Sequence, residues 1–151
     1  MKNPKTPLAT AGFLLSKVGQ LATARFALRL APLKIRPRHC GLLVAAAHGP
    51  ASQEELSRVL GLVPSAIVGM VDDLEALSAV RRISDPKNRR RYTIELTKRG
   101  HALLAQCSEL AHEVDGEILN ALSSAQRASL TSLLKTVATT LGLPINLEEL
   151  A

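Results

Sequence analysis

A chain of 151 residues can bury one core and is too short for two independent domains. Apolar residues make up 46% but aromatic ones only 2%, namely Phe13, Phe26 and Tyr92, so Leu, Ala and Val must fill a core of close-packed helices, and a pocket that grips its ligand by ring stacking is disfavoured. The formal charge is +6, no uninterrupted apolar run reaches the ~18 residues of a spanning helix, and the basic N-terminus lacks a signal-peptide core, which predicts a cytoplasmic protein with no membrane partner.

Residues 8–31 place Phe13, Leu14, Val18, Leu21, Ala22, Phe26, Leu28 and Leu30 at helical spacing, with Lys17, Arg25 and Arg29 on a second face, and Pro32 marks the end. Pro37 starts a helix running to about Ala47, since proline is favoured in a first helical turn, and His48-Gly49-Pro50 stops it. Ser52-Gln53-Glu54-Glu55 is a capping box, in which hydroxyl and carboxylate satisfy free amides reciprocally. It opens a short helix over 52–60 with Leu56, Val59 and Leu60 inward and Gly61 as its stop. Pro64 and Ser65 begin the next helix, whose stripe is Ile67, Met70, Val71, Leu74 and Leu77.

Residues 81–99 carry eight Lys/Arg against Asp85 and Glu95, a net +6 that equals the charge of the whole chain. A run from Val80 to Ser84 meets a turn, Asp85-Pro86-Lys87-Asn88, and then an alternating run from Arg91 to Leu96. Tyr92, Ile94 and Leu96 fall on one face of that run, and Arg91, Thr93 and Glu95 on the other, the period of a half-buried strand. Proline presets φ and the Asp85 side chain can bond forward, so the two runs form a hairpin that presents cations to solvent. Thr97 can cap a long helix to about Leu122. Ser123-x-x-Gln126 is a second capping box for a helix through Leu141, closed by Gly142 and Pro144.

The fold class is therefore mainly α, with about six helices and a small antiparallel hairpin. Two short helices about a turn at Gly61 make a helix-turn-helix, and the basic hairpin directly after them makes it winged. In this arrangement the second helix lies in a major groove while the wing reaches phosphate or an adjacent minor groove. Residues 1–38 hold eight Lys/Arg and no acid, a second basic patch that fits a polyanion partner.

From about Arg38 to Leu104 the chain resembles the MarR (multiple antibiotic resistance regulator) family of bacterial transcription factors. The matching segments are Ser52-Gln53-Glu54-Glu55-Leu56, Val71-Asp72-Asp73-Leu74-Glu75, Asp85-Pro86-Lys87-Asn88-Arg89-Arg90 and Leu96-Thr97-Lys98-Arg99-Gly100, in order and at these spacings. The resemblance implies one domain, 1–151, with a DNA-binding lobe at 37–100 and a dimerisation lobe made by 1–36 and 101–151. It implies a homodimer held by its first and last helices, a near-palindromic double-stranded operator, and repression released by a small organic anion bound between the lobes. Arg90 aligns with the wing arginine that enters the minor groove in relatives. The expected DNA-binding set is Ser52, Gln53, Pro64, Ser65, Ala66, Val68, Gly69, Arg82, Lys87, Arg89, Arg90 and Arg91. The expected ligand-binding set is Arg25, Arg29 and His39. Between Val63 and Gly69 only Ser65 has a polar side chain, so base readout there is expected to be modest, with methyl and shape contacts carrying more.

Other chemistry is not indicated. His39, His48, His101 and His112 do not form a metal-spaced set, and no phosphate loop, nucleophile elbow or paired-carboxylate arrangement appears, so no metal, cofactor or enzymatic activity is expected. Asp72-Asp73-x-Glu75 reads as a solvated or salt-bridged face. Cys40 and Cys107 lie 67 positions apart and are expected as two buried, reduced thiols. The alternatives are a redox-sensing regulator using Cys40 or Cys107, and a winged-helix module that recruits protein through its apolar recognition helix.

Overall fold

The computed structural model describes residues 7–143, with the side chains of Ala9, Arg89 and Arg90 left aside. After a single 3₁₀ turn at Pro7–Ala9, Thr10 caps α1 (Ala11–Leu30), its hydroxyl accepting from the Phe13 N–H at 3.3 Å. Pro32 supplies no donor to continue the helix, and the chain tightens into a second 3₁₀ turn, Ala31–Leu33. Helix α2 (Pro37–Ala47) has its proline in the first turn. A two-residue strand, β1 (Ala51–Ser52), leads into α3 (Gln53–Leu60). Its capping box is complete: the Ser52 hydroxyl accepts from the Glu55 N–H at 3.1 Å, and the Glu55 carboxylate accepts from the Ser52 N–H at 2.6 Å.

Gly61 ends α3 in the left-handed region, at φ 62°, where a Cβ would be strained, and this residue turns the chain into α4 (Pro64–Ala76). Ile67, Met70, Val71 and Leu74 of α4 are buried at the helical spacing read from the sequence. Leu77 of the expected stripe falls just past the helix, as its C-cap. Strands β2 (Val80–Asp85) and β3 (Asn88–Leu96) form the wing, antiparallel, with Arg82 opposite Ile94 and a register shift at Ser84/Asp85. Asp85 Oδ1 accepts from the Lys87 N–H at 2.8 Å, the forward bond expected of an Asp-Pro turn. The sheet order is β1-β3-β2. Strand β1 was not legible in the sequence because two half-buried residues carry no period; the pairing of Ala51 with Ile94 defines it.

Thr97 caps α5 (Lys98–Ile118), accepting from the Gly100 N–H at 3.0 Å while donating to the Ser78 carbonyl at 2.6 Å. The helix stops four residues short of Leu122, because Leu119 to Ser123 form the turn that sets the capping box of α6 (Ser124–Thr140). Pro144, expected to close α6, lies outside the described residues.

The core is built by Leu30, Ile35, Leu42, Leu43, Leu56, Ile67, Met70, Leu74, Val80 and Ile94, so each helix from α1 to α4 and both wing strands send at least one aliphatic side chain into it. Helix α5 adds Leu103 and Cys107. Helix α6 buries none of its described side chains; Leu133, Leu134, Val137 and Leu141 stand exposed, as do Leu14, Leu15, Val18 and Leu21 of α1. Among the described residues no helix is long and apolar enough to cross a membrane.

One close approach ties α5 to the rest. A Cβ added at Gly100 would stand 2.0 Å from the Ala79 carbonyl oxygen, and that oxygen accepts from the Thr97 N–H at 3.0 Å. Backbone, not a yielding side chain, occupies the space. Gly100→Ala is therefore expected to lower unfolding stability by about 3 kcal/mol through forced backbone displacement. Urea denaturation checks this, and an unchanged midpoint would show that the helix does not sit this close.

Candidate nucleic-acid interface

The N-terminal half of α4 is presented outward. Pro64, Ser65 and Gly69 are exposed, Ala66 and Val68 half-buried, while Ile67 and Met70 anchor the opposite face. Val63, the N-cap, is 64% exposed and makes no side-chain capping bond. Helix α4 is fixed against both neighbours by one side chain. Gln53 Nε2 donates to the Pro64 carbonyl at 3.3 Å, and Gln53 Oε1 accepts from the Tyr92 hydroxyl at 2.9 Å. Both ends of the Gln53 amide thus bond within the protein, which makes it the brace between α3, the start of α4 and β3 and leaves one Nε2–H of the expected phosphate donor outside these bonds. Ser52 is engaged in the capping box, its N–H donating to Glu55 and its hydroxyl oxygen accepting, so that only its O–H stays outside the box.

The wing cations divide into paired and unpaired groups. Arg82, expected on the DNA-facing flank, turns inward instead. Its guanidinium bonds Asp72 at 2.5 Å and Glu75, and lies 5.4 Å from the centre of the Tyr92 ring. The side chain is only 25% exposed, so Arg82 braces the wing against α4 and is not available to phosphate. Arg81 pairs across the hairpin with Glu95 at 2.6 Å. Lys87 at the tip and Arg91 on β3 are exposed with no ion pair among the described residues. Arg89 and Arg90 lie between them in β3, and their side chains fall outside the described set. The acidic run of α4 is a salt-bridged face, as expected, with Asp72 and Glu75 on Arg82 and Asp73 3.9 Å from Arg36 while also accepting a hydrogen bond from His39.

The three residues expected around a ligand are placed elsewhere. Arg25 pairs with Glu117 at 3.5 Å, and Arg29 with Glu113 at 2.9 Å and with Glu117, so these arginines fasten α1 to α5. The acids that neutralise them lie 84 to 92 positions away, which is why the acid-free stretch 1–38 read as free positive charge. His39 is buried at 1% exposure. Its Nδ1 accepts from the Arg36 N–H and its Nε2–H donates to Asp73, both at 2.9 Å, a pattern that only the neutral tautomer protonated on Nε2 satisfies. A cavity of about 380 Å³ does lie between the α1–α2 connection, the end of α4 and α5, bordered by Leu33, Lys34, Leu77, Arg99, Leu103 and Gln106. Sequence reasoning missed it because its walls come from three segments that are individually unremarkable. Cys40 and Cys107 are both buried, as expected, but in contact with one another.

The MarR family model matches residues 37–92, the segment from α2 into the wing. The chain is 31% identical over 125 residues to the HTH-type transcriptional repressor NicR of Pseudomonas putida, covering 82% of this chain and 79% of that protein. The chain belongs to the MarR family. A putative transcriptional regulatory protein for the hcr operon of Thauera aromatica is 33% identical over 127 residues, covering 82% of this chain and 76% of that one. Among solved structures, a MarR-family transcriptional regulator from Rhodococcus sp. RHA1 superposes with TM-score 0.77 at 29% identity, over 89% of this chain and 96% of that one. A Mycobacterium tuberculosis MarR family protein was solved with DNA (TM-score 0.74, 25% identity, 85% and 98% covered) and with salicylic acid (TM-score 0.70, 26% identity, 85% and 96% covered). Six helices with a small antiparallel sheet are thus the MarR winged helix, and membership places this chain among DNA-binding transcriptional regulators.

His39 makes the DNA-binding lobe acid-sensitive. Burial holds its pKa below the ordinary 6.5, against the opposing hydrogen bond and charge of Asp73 and with help from Arg38 and Arg36. The unfolded chain therefore takes up this proton more readily than the folded one. The stabilisation is full above the unfolded value of 6.5 and is lost as pH falls below it towards the lowered folded value. Unfolding curves from about pH 7.5 to about pH 5.5 should show stability falling with pH, and His39→Gln should abolish that slope while costing about 1–3 kcal/mol at the upper end. A wild-type curve flat across the range would refute the assignment.

Proposed function

We propose that this chain acts as a homodimer that binds near-palindromic duplex DNA as a repressor, and that a small organic anion releases it. The observation that carries the DNA reading is the Gln53 brace, which sets the start of α4 beside β3 of the wing. In that arrangement Pro64, Ser65, Ala66, Val68 and Gly69 meet a major groove while Lys87, Arg89, Arg90 and Arg91 reach phosphate, with Arg90 in the adjacent minor groove. The DNA complex of the Mycobacterium tuberculosis relative supports this reading, and the repressor name of the Pseudomonas putida relative supports the regulatory sense.

Between Val63 and Gly69 only Ser65 has a side chain that can hydrogen-bond a base edge, and it cannot supply a fork of two donors worth ~1–3 kcal/mol of discrimination. Methyl contacts and groove shape then favour A·T-rich half-sites. The dimer is supported by the uncovered leucine and valine side chains of α1 and α6, which a partner's matching helices would remove from water. The anion is supported by the salicylic acid complex of the Mycobacterium tuberculosis relative and by the cavity between the lobes, which offers Lys34, Arg99 and Gln106 above an apolar floor. The exposed Val63 favours a second reading, recruitment of a protein through α4. Salt-dependent retention on a DNA column separates the two.

Duplexes selected from a random pool test the function directly. With the selected duplex, Arg90→Ala and Lys87→Ala should each weaken binding to all sequences and flatten the dependence of log affinity on log salt by about one charge per subunit. Wild-type affinity in both variants at moderate salt would remove the wing from the interface. Leu133→Asp combined with Val137→Asp should sediment as a monomer at micromolar concentration, since two buried carboxylates would face apolar surface. A variant that remains dimeric would place the subunit contact elsewhere.

A further inference from the structure

We propose that Cys40 and Cys107 form an oxidisable dithiol that closes to an intrachain disulfide and so couples oxidant to DNA release; the release step rests on the DNA-binding function proposed above. The two sulfurs stand 3.0 Å apart, on α2 and α5, although 67 positions separate them in the chain. Both residues are free thiols, buried at 8% and 3% exposure, and no part of the DNA interface uses them. Such proximity is not needed for packing, since buried thiols behave as small apolar groups that any aliphatic side chain could replace. A disulfide requires sulfurs ~2.05 Å apart, so the bond is reached when the two sulfurs approach by about 1 Å, a movement that draws α2 and α5 together.

The pair is also electronically asymmetric. Cys40 donates its S–H to the Cys107 sulfur, which raises the Cys40 thiol, with burial adding to the effect; the same bond lowers Cys107 against its own burial. Cys107 is therefore the nucleophile and Cys40 the resolving thiol. The oxidant is a hydroperoxide, small enough to enter between α2 and α5 when local opening uncovers the buried Cys107 sulfur. The Cys107 thiolate attacks the terminal peroxide oxygen: an S–O bond forms, the O–O bond breaks, and the leaving alkoxide takes a proton to depart as alcohol. Cys40 sulfur then attacks the Cys107 sulfenic acid, the S–O bond breaks, and hydroxide leaves with the Cys40 proton as water. Two thiols are oxidised by two electrons, and one hydroperoxide is reduced to alcohol and water.

The mechanical consequence follows from where the sulfurs sit. Helix α2 packs against α5 on one side and against α3, α4 and β3 on the other. Two residues in sequence, His39 and Cys40, face these two sides, His39 bonding Asp73 of α4 and Cys40 meeting α5. Drawing α2 towards α5 displaces the support of the recognition helix, because a close-packed core transmits such a shift.

Reduced full-length protein treated with hydrogen peroxide, then denatured and alkylated, gives the decisive readout. The expected result is simultaneous loss of both thiols, a Cys40–Cys107 peptide pair within one chain, and recovery of both thiols with dithiothreitol. Cys40→Ser should leave Cys107 trapped as a sulfenic acid that dimedone captures, and Cys107→Ser should consume no peroxide. Both thiols still alkylable after peroxide excess, or disulfides joining separate chains, would overturn the proposal. For the regulatory step, the oxidised wild type should bind the selected duplex at least tenfold more weakly than the reduced protein, and the Cys40→Ser/Cys107→Ser double variant should not respond. A disulfide that forms while affinity changes less than threefold would overturn that step. Peptide mapping needs no DNA, so failure of the reduced protein to bind any duplex would count against the proposed function alone.

Discussion

Helix α2 has to satisfy both halves of the molecule at once, and the rest of the structure depends on how it does so. Within Pro37–Ala47 the side chains of His39, Cys40, Leu42, Leu43 and Ala46 are all buried, which leaves little of the helix facing water. A helix buried on several sides cannot translate without opening a void or a clash, either of which costs kilocalories. The position of α4 is therefore slaved to the position of α5. His39 adds a directional constraint to the apolar packing. Its neutral ring closes the N-terminus of α2 and bonds α4, a geometry that a protonated ring cannot reproduce.

The second organising principle is the internal use of charge. A chain with 19 Lys/Arg and 13 Asp/Glu could neutralise most of its cations, and where it does so decides what remains to meet DNA. Arg82 is held by Asp72 and Glu75, Arg81 by Glu95, and Arg25 and Arg29 by Glu113 and Glu117. Exposed pairs of this kind contribute little to stability, about 0–1 kcal/mol each. Their larger effect is on the field, because they cancel positive charge along the α1–α5 seam and at the base of the wing while Lys87 and Arg91 stay open towards the tip. Arg82 also lies against Tyr92, whose hydroxyl holds Gln53, so the ion pairs and the brace belong to one connected cluster.

That cluster gives a physical account of an apolar recognition helix. Strong base readout depends on side chains with rigid forked donors, which Pro64 to Gly69 lack. What this lobe offers instead is a well-fixed relation between helix and wing, held by Gln53, Tyr92 and Arg82. Rigid placement of a helix and a hairpin reads groove width and duplex deformability, since a misfit sequence must pay the cost of bending.

Much of the fold was legible in the sequence because its signals are local. Capping boxes at Ser52 and Ser123, Thr97 as a cap, prolines in first turns and Gly61 as a stop each act within four residues, and the helical stripe of α4 and the alternation of β3 report burial directly. The family was legible for the same reason, through short motifs at fixed spacing. Partnerships across the chain were not. Nothing near Arg29 announces Glu113, nothing near Gln53 announces Pro64 and Tyr92 together, and Cys40 gives no sign of Cys107. A cation is read from sequence as free until the fold supplies its acid, and a thiol as solitary until the fold supplies its neighbour. Local propensity and periodicity determined the elements and their order; only tertiary packing decided which charges survive at the surface and which side chains meet, because those contacts join residues that the chain itself keeps far apart.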